Sequence, residues 1–393
     1  MSTETYVPTH CHSVFSMLDG FGSPKQNAKR AKALGLPALA MTDHGNIYGH
    51  MQHIEACKKE EIKPILGAEL YISYSAATIK KKENRNHTHI VVLAKNHNGW
   101  LNLMKLITQT NDPDFFYYRP RIALAKQDDI VGLEDFLEDI IGFSGHQGSH
   151  LANNLFADVN ELSLKEFDPE RIVVENNKIK LAYGGYAAAK NPEYYRRFLK
   201  DGWLEDTCDF ALKLERMFGK GNFFVELQDE YNSDDATPLY VQPIILECLR
   251  EVSKETGIPG MASLDAHYAA PEDAKSQEIL MMVNMKETED SIRAKLESEE
   301  DNDMMAFFGC KSFYIHSYEE MAAKFTEQEL QTTVDIASQI EEFELKHEPY
   351  VPEFIVPNDV DLTKCEYPFC KTKADQYLMY LCIQGAQDKE PWL

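Results

Sequence analysis

The 393-residue chain is 44% hydrophobic and 26% charged, which is the composition of a globular protein rather than a disordered or fibrous one. It contains no run of about 18 uncharged apolar residues, and its N-terminus lacks the basic and apolar regions of a secretory signal, so we expect neither a membrane-spanning helix nor export. The 64 acidic and 40 basic residues give a net charge of −24, which disfavours non-specific binding to nucleic acid.

Charge is distributed unevenly along the chain. Residues 271–393 contain 27 acidic and 11 basic residues, so most of the net negative charge lies in the last third. A length of 393 residues also suggests two domains. We therefore predict a first domain over residues 1–270 and a second, acidic and mainly helical region over residues 271–393. The eight cysteines form no Cys-x-x-Cys pair, which is typical of a reduced, cytoplasmic protein.

Short apolar runs alternate with helical patterns in the first region. Ser23 and Pro24 predict the start of a helix that ends near Leu34, before Gly35. A second helix is expected at about 47–59 and another at 203–218. The predicted strands cover about 6–9, 37–42, 64–67, 70–74, 90–94, 140–143, 223–227 and 260–264. This alternation favours an α/β fold with parallel strands and helices outside.

Two stretches do not follow this pattern. The polar stretch from about 148 to 191 predicts an insertion with its own small elements. After residue 270, helices are expected at 276–283, 318–325, 327–343 and 373–384, with an acidic loop at 297–303 and an extended segment at 349–357.

Histidine, aspartate and glutamate residues follow the predicted strands. In order along the chain they are His10, His12 and Asp19, then Asp43 and His44, Glu69, His146, and finally Asp265 and His267. In a parallel barrel the carboxyl ends of all strands open on one face, so these side chains would converge on one pocket. His89 is the exception, because it precedes its predicted strand.

Imidazole and carboxylate groups together suit Zn²⁺, Mn²⁺ or Fe²⁺. A carboxylate that bridges two such ions is typical of sites that hydrolyse phosphoesters. Each short pattern alone is weak: a single His-x-His is more often structural, and Asp43-His44-Gly-Asn could be a turn. Their joint placement after separate strands favours a metal site.

The residues around these positions resemble the PHP (polymerase and histidinol phosphatase) domain, and more closely the N-terminal part of the bacterial DNA polymerase III alpha subunit. The resemblance rests on the runs PTHCHSVFSMLDG at 8–20, ALAMTDHGN at 38–46, IKPILGAE at 62–69, HIVVLAKN at 89–96, FYYRPRI at 116–122, FVELQ at 224–228 and LDAHY at 264–268. It continues beyond residue 270 in KSFYIHSYEEM at 311–321, and has one gap around 148–200.

The resemblance implies a distorted (β/α)7 barrel, followed by a smaller helical segment that leads toward a polymerase palm. It also implies two or three divalent metal ions (Zn, Mn or Fe). One ion would be held by His10, His12, Glu69 and Asp265, a second by Glu69, His89 and His146, and a third by Asp19, His44 and His267. The polymerase family usually has cysteine at the position of His146, and other PHP phosphoesterases have histidine there, which is also a good metal ligand.

Family members with a full ligand set are 3′–5′ exonucleases that proofread during DNA replication, and those that have lost ligands serve as scaffolds. The full set here favours an active enzyme; the alternatives are a silent scaffold region of the polymerase or a free PHP-type phosphatase. DNA synthesis is not expected from this chain alone, since Asp359-Val-Asp361 follows Pro357-Asn358 and predicts a turn rather than catalytic aspartates on a strand. The chain would be a natural split subunit or a piece of a longer polymerase.

The implied partners are a DNA 3′ end, the remaining polymerase domains in the same or another chain, and other replisome subunits. Lys80, Lys81, Lys82 and Arg85 form the clearest basic cluster and are candidates for contact with the DNA backbone. A solvated loop is an equally good interpretation of this cluster.

Overall fold

The computed structural model describes residues 4–85, 87–145, 148–156, 173–175, 178–180, 192–235, 241–297, 308–346, 352 and 354–389. The predicted ligand His146, most of the predicted insertion and most of the predicted acidic loop lie outside these residues. The chain forms two compact units, Met1–Phe343 and Glu344–Leu393. The first unit therefore extends well past residue 270. A division of roles at residue 270 stays a prediction.

A curled seven-stranded sheet organises the first unit, with strand order β1-β2-β3-β5-β8-β9 and β4 paired to β2. Its strands are β1 (Ala38–Met41), β2 (Lys63–Ser73), β3 (His87–Ala94), β4 (Arg121–Ala123), β5 (Ile140–Phe143), β8 (Phe223–Gln228) and β9 (Gly260–Ser263). A separate two-stranded sheet pairs β6 (Val173–Glu175) with β7 (Lys178–Lys180). The α/β prediction is confirmed.

Strand direction differs from the sequence prediction at one strand. Strand β1 pairs with β2, β5 with β8 and β8 with β9 in parallel, as predicted, but β3 runs antiparallel to both β2 and β5. The described residues of the link from β2 to β3 contain no α-helix, and an antiparallel strand needs no crossover. Because β3 is reversed, His89 near its beginning lies at the same edge as the carboxyl ends of the parallel strands.

The N-terminal segment joins the two edge strands of the sheet. Next to β1, the carbonyl of Pro8 accepts from the amide of Ala40, and that of Cys11 accepts from the amide of Thr42. Beyond the end of β9, the amide of His12 donates to the carbonyl of Ala266 at 2.7 Å. The segment thus carries His10 and His12 to the same edge as the other candidate ligands.

The described helices are α1 (Pro24–Ala33), α2 (His50–Glu60), α3 (His97–Thr110), α4 (His150–Asn154), α5 (Pro192–Tyr195), α6 (Trp203–Phe218), α7 (Gln242–Thr256), α8 (Ala274–Met285), α9 (Glu289–Glu297), α10 (Tyr318–Ala322), α11 (Glu327–Gln339) and α12 (Lys373–Lys389). Helices α1, α2, α6, α8, α10, α11 and α12 lie near predicted positions, whereas α3, α4, α5, α7 and α9 were not predicted individually. Helix α1 shows the expected capping: Ser23 accepts from the amide of Gln26 at its start, and Gly35 takes a positive φ of 71° just past its end.

Helix α11 packs against the barrel core although it belongs to the region after residue 270. Its residues Ile336, Ala337 and the following Ile340 pack with inward-facing side chains of β1, β2, β3, β5, β8 and β9. The ammonium of Lys63 on β2 donates to the carbonyls of Ala337 and Ile340. These carbonyls lie at the end of the helix, where no further turn of the helix supplies amides to bond them. Glu329 accepts two hydrogen bonds from Arg250 of α7, at 2.7 and 2.9 Å.

The second unit contains α12 and a turn at residues 358 and 359. Asp361 accepts hydrogen bonds from the amide and hydroxyl of Thr363, at 3.0 and 2.6 Å. The Asp359-Val-Asp361 sequence thus lies outside any strand. Across the described part of the chain, no helix combines the length and apolar character needed to span a membrane.

Candidate metal centre

The carboxylate of Glu69 lies at the centre of the candidate site. It is 1% exposed and is placed near the middle of β2. Its Oε2 atom lies 3.2 Å from Nε2 of His10, 3.1 Å from Nε2 of His12 and 3.1 Å from Nδ1 of His44. Its Oε1 atom lies 2.6 Å from Nδ1 of His89. The two oxygens therefore face different imidazoles, as a bridging carboxylate must.

Four donor atoms form one compact group. Nε2 of His10, Nε2 of His12, Oε2 of Glu69 and one oxygen of Asp265 all lie within 4.8 Å of one another. The two Nε2 atoms are 3.2 Å apart, and Oδ1 of Asp265 lies 3.4 and 3.1 Å from them. Four ligands about 2.0 Å from a tetrahedral Zn²⁺ are separated by about 3.3 Å, so these spacings fit one ion.

Two further groups adjoin the first. His44, Glu69 and His89 form one, and His12, His44 and His267 form the other. Asp19 lies beside the group that contains His267. Its Oδ2 atom is 3.0 Å from Nε2 of His44, and its Oδ1 atom is 3.6 Å from Nε2 of His267. Eight of the nine predicted ligands are thus brought together, and the ninth, His146, is outside the described residues.

Hydrogen bonds on the far side of each ring fix how the imidazoles face the site. Nδ1 of His10 donates to Oε1 of Glu226 at 2.7 Å, since a carboxylate can only accept. Nδ1 of His267 donates to the carbonyl of Asp265 at 2.9 Å. In both rings this leaves Nε2 facing the site, which is how protein ligands are oriented toward a metal.

His12 is oriented through a serine. The hydroxyl of Ser16 donates to Oδ1 of Asp43 at 2.7 Å, so Nδ1 of His12, 2.9 Å away, must donate to that hydroxyl oxygen. Asp43 is fully buried and also accepts from the amide and hydroxyl of Ser13. The sequence placed Asp43 beside the site, and the structure gives it this supporting position.

The residues present fit bound cations. With both Nδ1 atoms donating outward, the Nε2 atoms of His10 and His12 face each other across 3.2 Å, an arrangement that needs a proton or a metal ion beside them. Oδ1 of Asp19 and Oδ1 of Asp265 are buried and accept no hydrogen bond of good geometry within the described residues. Buried acceptors without donors are costly, and a positive ion among them removes that cost.

Proton affinities at the site are strongly perturbed. Burial lowers the pKa of His267, but the carboxylates of Asp265 and Asp19 outweigh burial and raise that pKa to about 9. Burial raises the pKa of both aspartates, but the neighbouring imidazoles, His267 first, hold each well below its usual range. The pKa values of His10 and His44 are raised well above the usual value against the effect of burial. Protons here occupy positions that a metal would take.

Two further histidines, which are not among the predicted ligands, are buried structural residues. Nε2 of His50 lies 2.9 Å from the carbonyl of Gly67, and Nε2 of His53 lies 3.0 Å from that of Leu39. Burial lowers both pKa values to about 4, so these rings stay neutral and donate to the sheet backbone.

The sequence did not single out Glu226 and Ser16. Glu226 lies on the fully buried strand β8, between Val225 and Leu227. A glutamate inside an apolar strand was the available signal, because a buried charge needs a partner. Ser16 lies in a loop, and nothing in its sequence context marks it.

The predicted basic cluster lies on the surface. Lys80, Lys81, Lys82 and Arg85 are exposed. The ammonium of Lys80 donates to the carbonyl of Pro113, and the guanidinium carbon of Arg85 lies 4.2 Å from the centre of the Tyr118 ring. A role of these residues in binding nucleic acid stays a prediction.

Comparison with known proteins gives consistent matches. Residues 8–230 match the family described as the PHP domain. The DNA polymerase III subunit alpha of Chlamydia pneumoniae is 31% identical over 360 residues, which are 89% of this chain and 26% of the relative. That of Borreliella burgdorferi is 30% identical over 386 residues, 97% of this chain and 26% of the relative. The chain thus spans about a quarter of the length of these relatives. A solved phosphoesterase from Bifidobacterium adolescentis, described as metal-dependent, covers 67% of this chain and 88% of its own at 15% identity and a TM-score of 0.31.

Proposed function

The chain belongs to the PHP domain family, and from that membership we propose that it is the PHP portion of a replicase similar to the DNA polymerase III alpha subunit. The membership confirms the resemblance inferred from the sequence. The proposed activity is metal-dependent phosphodiester hydrolysis at a DNA 3′ end, that is, 3′–5′ exonuclease proofreading with two or three divalent ions of Zn, Mn or Fe. The hydrolytic residues all fall within residues 1–270.

The observation that carries this proposal is the position of Glu69. One carboxylate oxygen lies within 3.2 Å of nitrogen atoms on His10, His12 and His44, and the other lies 2.6 Å from His89. A carboxylate shared between adjoining imidazole groups is the arrangement that a multi-metal phosphoesterase requires. A scaffold would not need to keep these buried imidazoles and carboxylates together.

The protein's own residues orient and hold the reacting groups. His10, His12, Glu69 and Asp265 would hold one ion, Glu69 and His89 with His146 a second, and Asp19, His44 and His267 a third. Bound divalent ions supply a water nucleophile at neutral pH and Lewis acidity toward a phosphoryl oxygen. Glu226 and the Ser16–Asp43 pair keep the Nδ1 protons of His10 and His12 directed away from the site.

The net charge of −24 limits how the chain meets its substrate. An acidic chain attracts DNA weakly, since phosphate contacts need clustered cations. We expect the remaining parts of a replicase to hold the duplex and deliver its 3′ end to this site.

The proposal is tested by measuring the metal content of the purified chain, followed by digestion of 3′-labelled single-stranded and mismatched-primer DNA with Mn²⁺. The wild type should release 3′-terminal nucleotides, and Asp19→Ala and His44→Ala should not. Unchanged digestion by both variants would exclude this site. A protein without metal and without digestion would be a scaffold, and hydrolysis of phosphomonoesters but not of DNA would indicate a small-molecule phosphatase.

A further inference from the structure

A buried arginine joins two surface segments beside the candidate metal centre. The side chain of Arg121 is 1% exposed. Its guanidinium donates to the carbonyls of Ala77 at 2.7 Å, Ile79 at 3.0 Å and Asn84, and Nε donates to that of Phe115 at 3.3 Å. The basic segment 76–85 and the aromatic segment 115–121 are therefore held as one surface.

This surface presents aromatic rings to solvent. Tyr118 is 59% exposed and Phe116 is 44% exposed. Tyr118 takes a positive φ of 61°, which is a rare conformation for a bulky residue. The guanidinium of Arg85 lies over its ring at 4.2 Å. We call Arg85, Phe116, Tyr118 and Arg119 the Tyr118 platform.

The Tyr118 platform adjoins the metal-ligand cluster. The guanidinium carbon of Arg119 lies 5.5 Å from the ring centre of Tyr71, and that ring lies 5.8 Å from the ring of His44 and 5.0 Å from that of His89. Pro120 packs so closely on Gly45 that a Cβ there would meet it at 2.6 Å. One aromatic ring thus separates the Arg119 charge from two candidate ligands.

The two arginines of the platform have no acidic partner among the residues that the structure describes. Within the described ranges, no carboxylate lies within ion-pair distance of Arg85 or Arg119, although the chain carries 64 acidic residues. Lys80, by contrast, already donates to the carbonyl of Pro113. Unpaired cations beside exposed rings match the chemistry of a single nucleic-acid strand, whose bases stack and whose phosphates are anionic.

We propose that the Tyr118 platform binds the single-stranded end of DNA that enters the metal centre, with a base stacked on Tyr118 or Phe116 and a phosphate on Arg119. This inference rests on the proposed function and deepens it by naming the side chains outside the metal-ligand cluster that would hold the DNA strand. A small ester would need the metal ligands but neither the exposed rings nor the unpaired arginines.

The test measures binding of a short oligothymidine, labelled with fluorescein at its 5′ end, by fluorescence anisotropy in EDTA over a range of salt concentrations. Tyr118→Ala should weaken binding roughly fivefold or more, the typical cost of one lost stack, and Tyr118→Phe should bind like wild type. Arg119→Ala should weaken binding and make the slope of log K against log salt shallower by about 0.7, the effect of one lost phosphate contact.

Lys254→Ala is the matched control, because it removes one exposed positive charge on α7, where the side chain is 71% exposed. Equal binding by Tyr118→Ala, Arg119→Ala and Lys254→Ala would overturn the proposal and favour a protein partner for this surface. Absence of binding by wild type at low salt would overturn it as well. Hydrolysis of bis(p-nitrophenyl) phosphate by wild type with Mn²⁺ tests the proposed function separately, so the two failures can be told apart.

Discussion

Oε1 of Glu226 lies 2.7 Å from Nδ1 of His10, and both side chains are buried. The carboxylate holds the ring in the tautomer whose Nε2 faces the site and raises its basicity. Glu226→Gln keeps the shape but removes the charge, so we expect divalent metal to bind about 10-fold more weakly or worse. Calorimetric titration of the metal-stripped protein with Zn²⁺ measures this. Glu255→Gln on exposed α7 surface is the control, and equal affinities of the two variants would contradict the assigned role.

A second prediction concerns pH and the stability of the metal-stripped protein. The pKa of His267 is raised to about 9, against about 6.5 in an unfolded chain. A raised histidine pKa contributes stability that is fully present below about pH 6.5 and is lost as pH rises through about 9. His10 and His44 are shifted in the same direction. In EDTA, the melting temperature should therefore decrease as the pH rises from about 6.5 to about 9. In His267→Gln the melting temperature should decrease less over the same pH range. A melting temperature that rises over this range would contradict the prediction.

A third prediction concerns the docking of α11. Ile336 is fully buried in the core of the first unit, so Ile336→Ala removes packing at the barrel and leaves a cavity. We expect the free energy of unfolding of that unit to fall by about 2–4 kcal/mol, the usual cost of such a substitution. Urea unfolding measures it, with the exposed Ser338→Ala on the same helix as the control. A cost for Ile336→Ala no larger than for the control would show that the helix does not belong to the core.

The ligands could be predicted because their signal is local. His10, His12, His44, Asp265 and His267 each follow an apolar run, and chain order alone brings such positions to one edge of a sheet. His89 shows the limit of this reasoning. Its place at the same edge depends on β3 running antiparallel, and periodicity alone cannot give strand direction.

Features that depend on distant contacts could not be predicted. The sequence pattern predicted that α11 is a helix. Its packing against the sheet depends on contacts with Lys63 and Arg250, which are both far away in sequence. The same holds for Arg121, which is 1% exposed because backbone carbonyls from distant segments surround its guanidinium. Glu226 could have been recognised as a buried charge, but its partner His10 is 216 residues away.

The central claim is that a metal cluster organised by Glu69 hydrolyses DNA from its 3′ end. The most direct measurement is the rate at which wild type and Glu69→Gln release the terminal nucleotide from 3′-labelled single-stranded DNA with Mn²⁺. Circular dichroism spectra of the two proteins should match, which shows that the variant is folded. We expect release by wild type and a rate lower by roughly 100-fold or more in the variant, since losing a shared ligand should cost at least as much as losing a supporting group. Equal rates in the two proteins would contradict the claim.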